Sequence, residues 1–365
     1  MPGPVRVLEM VASLTYGGSQ TMIVNLCRKM DRNEVQCDFI VDHPEYMEMA
    51  KEIEALGSKI YVLPSFKGTN IKEVTDAWDR FFSEHPEYQI LHSHSRSYAS
   101  IYLPIARRHG LKTIIHSHNT SNGKGFKAMV KDLMQLPLRR CSDYYFACSL
   151  QAGKWLFGEK ITKGDRFYVL NNAIDTDRFT YNENIRKQYR EQFGLSDEKV
   201  LIQVGRMDEQ KNHFFTLRFF KEYLKKNQNA KLFIVGTGKF KEEILRIVSE
   251  EDMKDNVRIL ENRNDVNCLL QMADVFVMPS RFEGLSVAAI EAQASGLRCL
   301  FSDRVDRAVD VTGLCEFIPL EEDRWVDALM RQEPERISRK KEIAEAGFDV
   351  SASAGWLEEF YKSII

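Results

Sequence analysis

The sequence predicts an α/β fold made of two doubly wound domains, on three observations. Short apolar runs alternate with helix-like patterns along the whole chain. Those runs are almost continuously apolar, as expected of parallel strands covered by helices on both faces. There are also too many of them for one comfortable sheet, and 365 residues suffice for two domains with sizeable cores.

Taken in order, the first series of strands falls at residues 5–11, 37–42, 59–64, 88–95, 112–119 and 143–149. Helices are expected between them, at 21–30 and 70–85. The second series has strands at 199–205, 230–236, 256–261, 275–280 and 298–302, and helices at 214–226, 239–251 and 266–273. A polar stretch, "VLNNAIDTDRFTYNENIRKQY", separates the series. It sets the domains at 1–175 and 176–349, with an amphipathic helix over about 350–365 closing the chain. No internal repeat or low-complexity tract interrupts this order. In doubly wound sheets ligands sit beyond the carboxyl ends of the strands, so the loops after the strands are where chemistry is sought.

Composition narrows the class. Apolar residues make up 44% and charged residues 28%, the balance of a globular protein. A net charge of −2 gives no global pull toward nucleic acid. Seven cysteines without a CxxC pair suggest a reduced, intracellular chain. The first twenty residues lack the basic leader and apolar run of a signal peptide. No run of about 18 apolar residues occurs, so no membrane span is expected. Between Ile101 and Arg140, however, Arg107, Arg108, Lys112, Lys124, Lys127, Lys131, Arg139 and Arg140 face Asp132 alone. This segment is either a solvated helix face or a surface for anionic lipid or a phosphate-bearing acceptor.

Four loops carry candidate chemistry. "SLTYGGSQT" follows the first strand and opens a helix; Gly17 and Gly18 let the backbone approach a ligand, and the helix start favours an anion. "QVGRMDEQKNHFF" sends Arg206 and Lys211 from a strand end, two cations that suit a diphosphate. "VGTGKF" lacks the third glycine of a dinucleotide loop and reads as a strand-to-helix turn. In "SRFEGLSVAAIEAQASGL", Glu283 and Gly284 stand where a strand gives way to a helix, and Glu291 lies within that helix. The N–H groups of Leu285, Ser286 and Val287 are first-turn donors able to hold a phosphate. Glu283 and Glu291 can each accept hydrogen bonds from a polyol. Two polyols with a diphosphate between them describe a nucleotide sugar.

"GRMDEQKN" followed by "PSRFEGLSVAAIEAQASGL" resembles the retaining glycosyltransferases of family four, which have the GT-B fold of two Rossmann-like domains facing across a cleft. The resemblance extends to the Gly-Gly loop, "HSHN" and "LNNAIDTDRF", and so to nearly the whole chain; enzymes of capsule and exopolysaccharide synthesis look most similar. It implies an N-terminal acceptor-binding domain, a C-terminal nucleotide-sugar-binding domain and a closing helix that crosses back onto the first. Arg206 and Lys211 would bind the donor diphosphate, with Gly17 and Gly18 approaching it from the other domain. Glu283 would bind the sugar, the amides of Gly284, Leu285 and Ser286 would lie near phosphate, and Glu291 would bind ribose. His118 would lie beside the transferred sugar. Glu283, His118, Arg206 and Lys211 are thus the expected catalytic group. The implied reaction moves a hexosyl unit from a UDP- or GDP-linked donor, with UDP favoured by the resemblance, to a saccharide or lipid-linked saccharide. It needs no metal and no cofactor, in the cytoplasm or at the inner membrane face.

Two alternatives compete. "HSHS" and "HSHN" each place two histidines on one face of a strand end, His92 with His94 and His116 with His118. Four imidazoles on neighbouring strands could hold Zn²⁺ or Fe²⁺ and make a hydrolase. A non-catalytic nucleotide-sugar or polysaccharide binder is the other. "DTD", Asp175 to Asp177, matches a metal motif of another glycosyltransferase fold, but its place in the linker points to turn chemistry.

Overall fold

The computed structural model describes residues 3–15, 18–96, 98–118 and 133–365. The chain forms two compact units, 1–173 with 349–365, and 174–348. The first break comes two residues before the expected position. Ile174 is the reason: its side chain is buried in the core of the second unit, and its N–H donates to the Phe348 carbonyl at 2.9 Å. Both passages between units therefore meet at one backbone hydrogen bond.

Among the described residues the first unit holds a seven-stranded parallel sheet in the order β3-β2-β1-β4-β5-β6-β7. Its strands are β1 Val5–Met10, β2 Val35–Val41, β3 Ile60–Val62, β4 Ile90–Ser93, β5 Lys112–Ser117, β6 Tyr144–Ala147 and β7 Phe167–Val169. Strand alternation assigns the two faces. Val5 and Val7 of β1, Ile90 of β4 and Ile114 of β5 pack with helices Gly18–Lys29 and Val350–Ser363. Leu8, Met10, Leu91 and Ile115 pack on the opposite side with helices Ile71–Glu84 and Ala99–Arg108. The closing helix starts at Asp349, whose side chain caps it through the Ala352 N–H at 2.9 Å. Its Leu357, Phe360 and Tyr361 enter the first core. Glu358 accepts from the Asp31 N–H at 2.8 Å, and Lys362 pairs with Glu34 at 3.3 Å.

The second unit holds a six-stranded parallel sheet, β10-β9-β8-β11-β12-β13. It is built from β8 Lys199–Val204, β9 Ala230–Val235, β10 Val257–Leu260, β11 Val275–Met278, β12 Arg298–Ser302 and β13 Cys315–Ile318. Strand order reverses between β8 and β11, the switch point at which ligands bind in such sheets. The strands that sequence patterning misses, β7 and β13, are both sheet edges. They are three and four residues long and mostly half-buried, so no continuous apolar run marks them.

The seven cysteines are free thiols. No helix among the described residues is long and apolar enough to cross a membrane. Asp175 precedes the helix Thr176–Phe179 and takes the Arg178 N–H on its backbone carbonyl at 3.0 Å, while Asp177 pairs with Lys340.

Candidate active site

The loop after β8 is shaped by close backbone crossing. Gly205, Gly236 and Gly238 all have positive φ. A Cβ on Gly236 would lie 2.2 Å from the Gly205 carbonyl oxygen, so only glycine fits there. Gly205 N–H donates to Val235 O at 2.9 Å and Met207 N–H to Thr237 O at 2.8 Å, seating this loop on the turn after β9. The buried Gln203 side chain donates to the Lys211 carbonyl at 2.8 Å and accepts from Thr216 at 2.7 Å. The Asp208 carboxylate accepts from the N–H groups of Gln210 and Lys211 at 3.1 and 3.2 Å. Asn212, left-handed at φ 57°, donates from its side chain to Pro279 O at 3.0 Å. Arg281 N–H donates to Gln210 O at 2.8 Å. These bonds stitch the loop after β8 to the loop after β11.

The stitching brings Lys211 against Glu283. Their Nζ and Oε2 atoms are 2.5 Å apart, and each side chain is 13% exposed. Gln210 Nε2 donates to Glu283 Oε1 at 3.2 Å, and Ser280 Oγ donates to Oε2 at 3.3 Å. The Glu283 backbone is held as well: it bridges Val305 and takes the Asp306 N–H at 3.1 Å. Gly284 follows with open space where a side chain would stand. Leu285 and Ser286 lead into the helix Val287–Ala294, and no side chain caps its start. Its first N–H groups therefore keep their capacity for an acceptor.

The other expected residues differ in setting. Arg206 lies on the same loop, but its guanidinium is 77% exposed, with Asp208 at 3.4 Å. Glu291 lies within the helix Val287–Ala294. Burial pushes its carboxyl up to about 7, and Arg178 opposes that rise. Two partners of Glu283, Gln210 and Ser280, escaped sequence reading because nothing in their spacing marks them. His213 escaped too. It opens the helix His213–Lys226, fully buried, and neither ring nitrogen has a hydrogen-bond partner among the described residues. Burial, then Lys211, holds it down to about 4 against the opposing pull of Asp208.

In the first unit Gly18 is the first residue of the helix Gly18–Lys29, and Gly17 lies outside the described residues. Lys124, Lys127 and Lys131 are likewise outside them. β4 and β5 are neighbours, with His92 in register with Ile114, so the four histidines gather on one face. They stack: ring centroids are 4.3 Å apart for His92 and His94, and 4.1 Å for His116 and His118. Edge-to-edge contacts join them, His94 Nδ1 to His118 Nε2 at 2.8 Å and His116 Nδ1 to His92 Nε2 at 3.3 Å. One ring nitrogen from each of His92, His94 and His116 lies within 4.8 Å of the others, a grouping compatible with a metal ion. Burial holds all four imidazoles below the usual histidine range.

A cavity of 490 Å³ lies elsewhere, at the amino ends of the second sheet. Arg186 and Arg336 line it, but their guanidinium groups donate to carbonyls of residues 270–273 at the end of the helix Val266–Met272. Those cations cap a helix, and the catalytic candidates are at the other end of the strands.

Residues 16–178 match Glycosyltransferase Family 4, and residues 185–317 match the glycosyl transferases group 1. EpsF of Bacillus subtilis (strain 168), designated a glycosyltransferase, is 31% identical over 374 residues, covering 98% of this chain and 96% of that one. The UDP-Gal:alpha-D-GlcNAc-diphosphoundecaprenol alpha-1,3-galactosyltransferase of Escherichia coli is 25% identical over 228 residues, 60% of this chain and 58% of that one. Anabaena HepE, solved with UDP and glucose, superposes with a TM-score of 0.77 at 14% identity, over 99% of this chain and 100% of that one. Membership of a transferase family speaks against the hydrolase and the non-catalytic binder. The chain belongs to the group 1, family 4 glycosyltransferases and has their GT-B fold.

Proposed function

We propose that this enzyme transfers a hexosyl unit from a UDP-linked sugar to a hydroxyl of a lipid-linked saccharide, with retention of configuration and without a metal, in surface-polysaccharide synthesis. The observation that carries the reading is the Lys211–Glu283 contact of 2.5 Å, set beside Gly284 and the uncapped start of the helix Val287–Ala294. A cation, a carboxylate and free amides are there within one loop pair. Lys211, Arg206 and the amides of Leu285 and Ser286 stabilise the departing diphosphate, where charge accumulates in the transition state. Glu283 accepts from hydroxyls of the donor sugar, Glu291 from the ribose, and Gly17 and Gly18 approach the diphosphate. His118 positions the transferred sugar. No side chain acts as a covalent nucleophile; the leaving phosphate takes the acceptor proton on the face it departs from. Fixed protein cations fill the place of a metal ion, so none is required.

The E. coli relative is named for a UDP-linked donor and a diphosphoundecaprenol-linked acceptor, and HepE was solved with UDP. The first supports the choice of donor and acceptor class, the second that of UDP alone. A peripheral site at the inner membrane face fits the basic segment. Leu133 and Leu136 are exposed there beside Arg139 and Arg140, an apolar and cationic pairing suited to an anionic lipid surface.

The test is a transfer assay with UDP- and GDP-hexoses on an undecaprenyl-diphosphate saccharide, with the product anomer assigned by NMR. An α-configured donor should yield an α-linked product, and UDP should raise the melting temperature. An inverted product, or no stabilisation by any nucleotide sugar, overturns the reading. Vesicles containing anionic lipid should bind the protein and lose it on charge reversal of Lys127 and Lys131; unchanged binding returns the segment to a solvated face.

A further inference from the structure

Glu9 is the third inward residue of a row that begins Val5, Val7 on the face of β1 covered by the closing helix. It is 2% exposed. Its carboxyl sits at the centre of a chain of hydrogen bonds. On one side Tyr361 donates to Oε1 at 3.0 Å, and the same hydroxyl meets His92 Nδ1 at 2.6 Å. On the other, Oε2 lies 2.8 Å from His94 Nε2, and His94 Nδ1 lies 2.8 Å from His118 Nε2. With Oε1 occupied by the tyrosine hydrogen, an acid proton on Glu9 must sit on Oε2, against His94. Its other titratable neighbours are His92 at 3.8 Å, Cys37 at 3.9 Å and the buried Cys27. None of these supplies a cation at neutral pH. Burial pushes the Glu9 carboxyl up to about 8 and holds His94 down to about 3. The contact between them is therefore a bond between a neutral acid and a neutral imidazole.

Each imidazole between two partners carries one hydrogen, so the chain has two complete arrangements. With Glu9 protonated, its O–H donates to His94 Nε2, His94 Nδ1–H donates to His118 Nε2, and His118 carries its hydrogen on Nδ1. With Glu9 ionised, His94 bears hydrogen on Nε2 and donates to the carboxylate. His118 then bears hydrogen on Nε2 and donates to His94, and its Nδ1 is bare. The first arrangement holds three mobile protons and the second holds two. Passing between them, the Glu9 proton moves to His94, the His94 Nδ1 proton moves to His118, and the His118 Nδ1 proton leaves to solvent. Asn172 neighbours the His118 ring, whose Nδ1 is buried.

We propose that Glu9, acting through His94, is a positioning residue that decides whether His118 presents a hydrogen-bond donor or an acceptor at Nδ1. In the active site this rests on the reading that His118 lies beside the transferred sugar. Because Nδ1 is buried, the sugar or acceptor would feel an N–H in one state and a lone pair in the other through the groups packed on the ring. The tautomer itself can be measured without that reading.

The experiment is ¹⁵N NMR of the histidine rings in the ligand-free protein across pH 6 to 10, with kcat/KM measured in parallel. In the unmodified protein His118 should shift from the Nδ1–H to the Nε2–H tautomer as pH rises through the Glu9 titration. Glu9→Gln, whose amide donates to His94 as the acid does, should hold His118 as Nδ1–H throughout and lose the matching alkaline inflection in kcat/KM. His94→Phe, which cuts the path and leaves Glu9 in place, should abolish the shift even if Glu9→Gln folds poorly. Tyr361→Phe should move its midpoint while keeping it. A His118 tautomer that never changes, or that still changes in both Glu9→Gln and His94→Phe, overturns the proposal. Stoichiometric Zn²⁺ that perturbs His92, His94 and His116 together overturns it in favour of a metal site. A tautomer shift without any transferase activity would count against the functional reading alone.

Discussion

The two sheets end in rims of opposite character. At the carboxyl ends of β1, β4 and β5 the first unit places four imidazoles and a carboxyl that burial keeps uncharged. Past β8 and β11 the second unit places a lysine and a glutamate 2.5 Å apart, with an exposed guanidinium on the same loop. The same α/β architecture thus supports a proton-ordering rim and a charge-holding rim. The difference lies in what covers the strand ends. A closing helix with an inward tyrosine seals the first, whereas two glycine-bearing loops leave the second open enough to keep ions. Sealing favours neutral, hydrogen-bonded groups; partial opening with good partners permits charge.

The comparison breaks hardest at Glu283. Glu283→Ala should lower turnover by about 10²–10³-fold, the scale of losing a preorganised polar contact to the reacting group. It should also destabilise the fold by on the order of 3 kcal/mol, because Lys211 is left in a confined site without its counter-charge. Steady-state kinetics and urea unfolding read the two effects separately; a fully active variant would remove Glu283 from the mechanism. Gly236→Ala should come next. Its Cβ would press on the Gly205 carbonyl at 2.2 Å, in a backbone region that strains any L-residue. A loss of about 3 kcal/mol is expected, with weaker donor binding as the loop shifts.

Arg206→Ala sharpens the comparison instead. The side chain is 77% exposed, so melting temperature should hardly move. Donor affinity should fall by about 10- to 100-fold, the worth of charge-assisted hydrogen bonds to phosphate. Calorimetry with UDP checks it, and equal affinity would place the diphosphate elsewhere. Glu291 gives a smaller, pH-dependent effect. Its folded carboxyl holds a proton up to about 7, above the unfolded range, so the folded chain binds that proton more tightly. Its contribution to stability should therefore decline as pH rises from the ordinary carboxylate range toward 7, by at most about 1.4 kcal/mol per pH unit. Glu291→Gln should flatten the melting-temperature difference between pH 5 and pH 7.5, and an unchanged slope would refute the shift. Last, dialysis against EDTA should leave transferase activity intact, the smallest effect of all. Activity lost and restored by one added metal would show that the lysine and arginine do not suffice.

Much of this was legible in the sequence, for identifiable reasons. The apolar runs of β1, β4, β5, β8 and β11 belong to sheet centres, where both faces are covered and the pattern is continuous. The matched histidine pairs were readable as one face because strand periodicity is two and β4 and β5 pair directly. Glu9 was not readable: a carboxylate inside "VLEMV" has no local sign that the far end of the chain will supply its partner. The Lys211–Glu283 contact escaped too. It depends on the route of residues 205–212, fixed by Gln203, Asp208 and Asn212 rather than by any pattern in the residues themselves. Sequence named both members and their common task, but not that they hold each other.

The closing helix has a consequence for how the molecule is made. Ribosomes deliver the amino end first, yet Val350, Leu357, Phe360 and Tyr361 belong to the core of the first unit. Until these last residues emerge, β1 exposes an unsealed face and Glu9 lacks the Tyr361 hydroxyl that fixes its proton. The nascent first unit must wait, incomplete, while the whole of the second is synthesised. A message truncated after Phe348 would yield a finished second unit tethered to an unfinished first, a product that quality-control proteases should recognise from one end only.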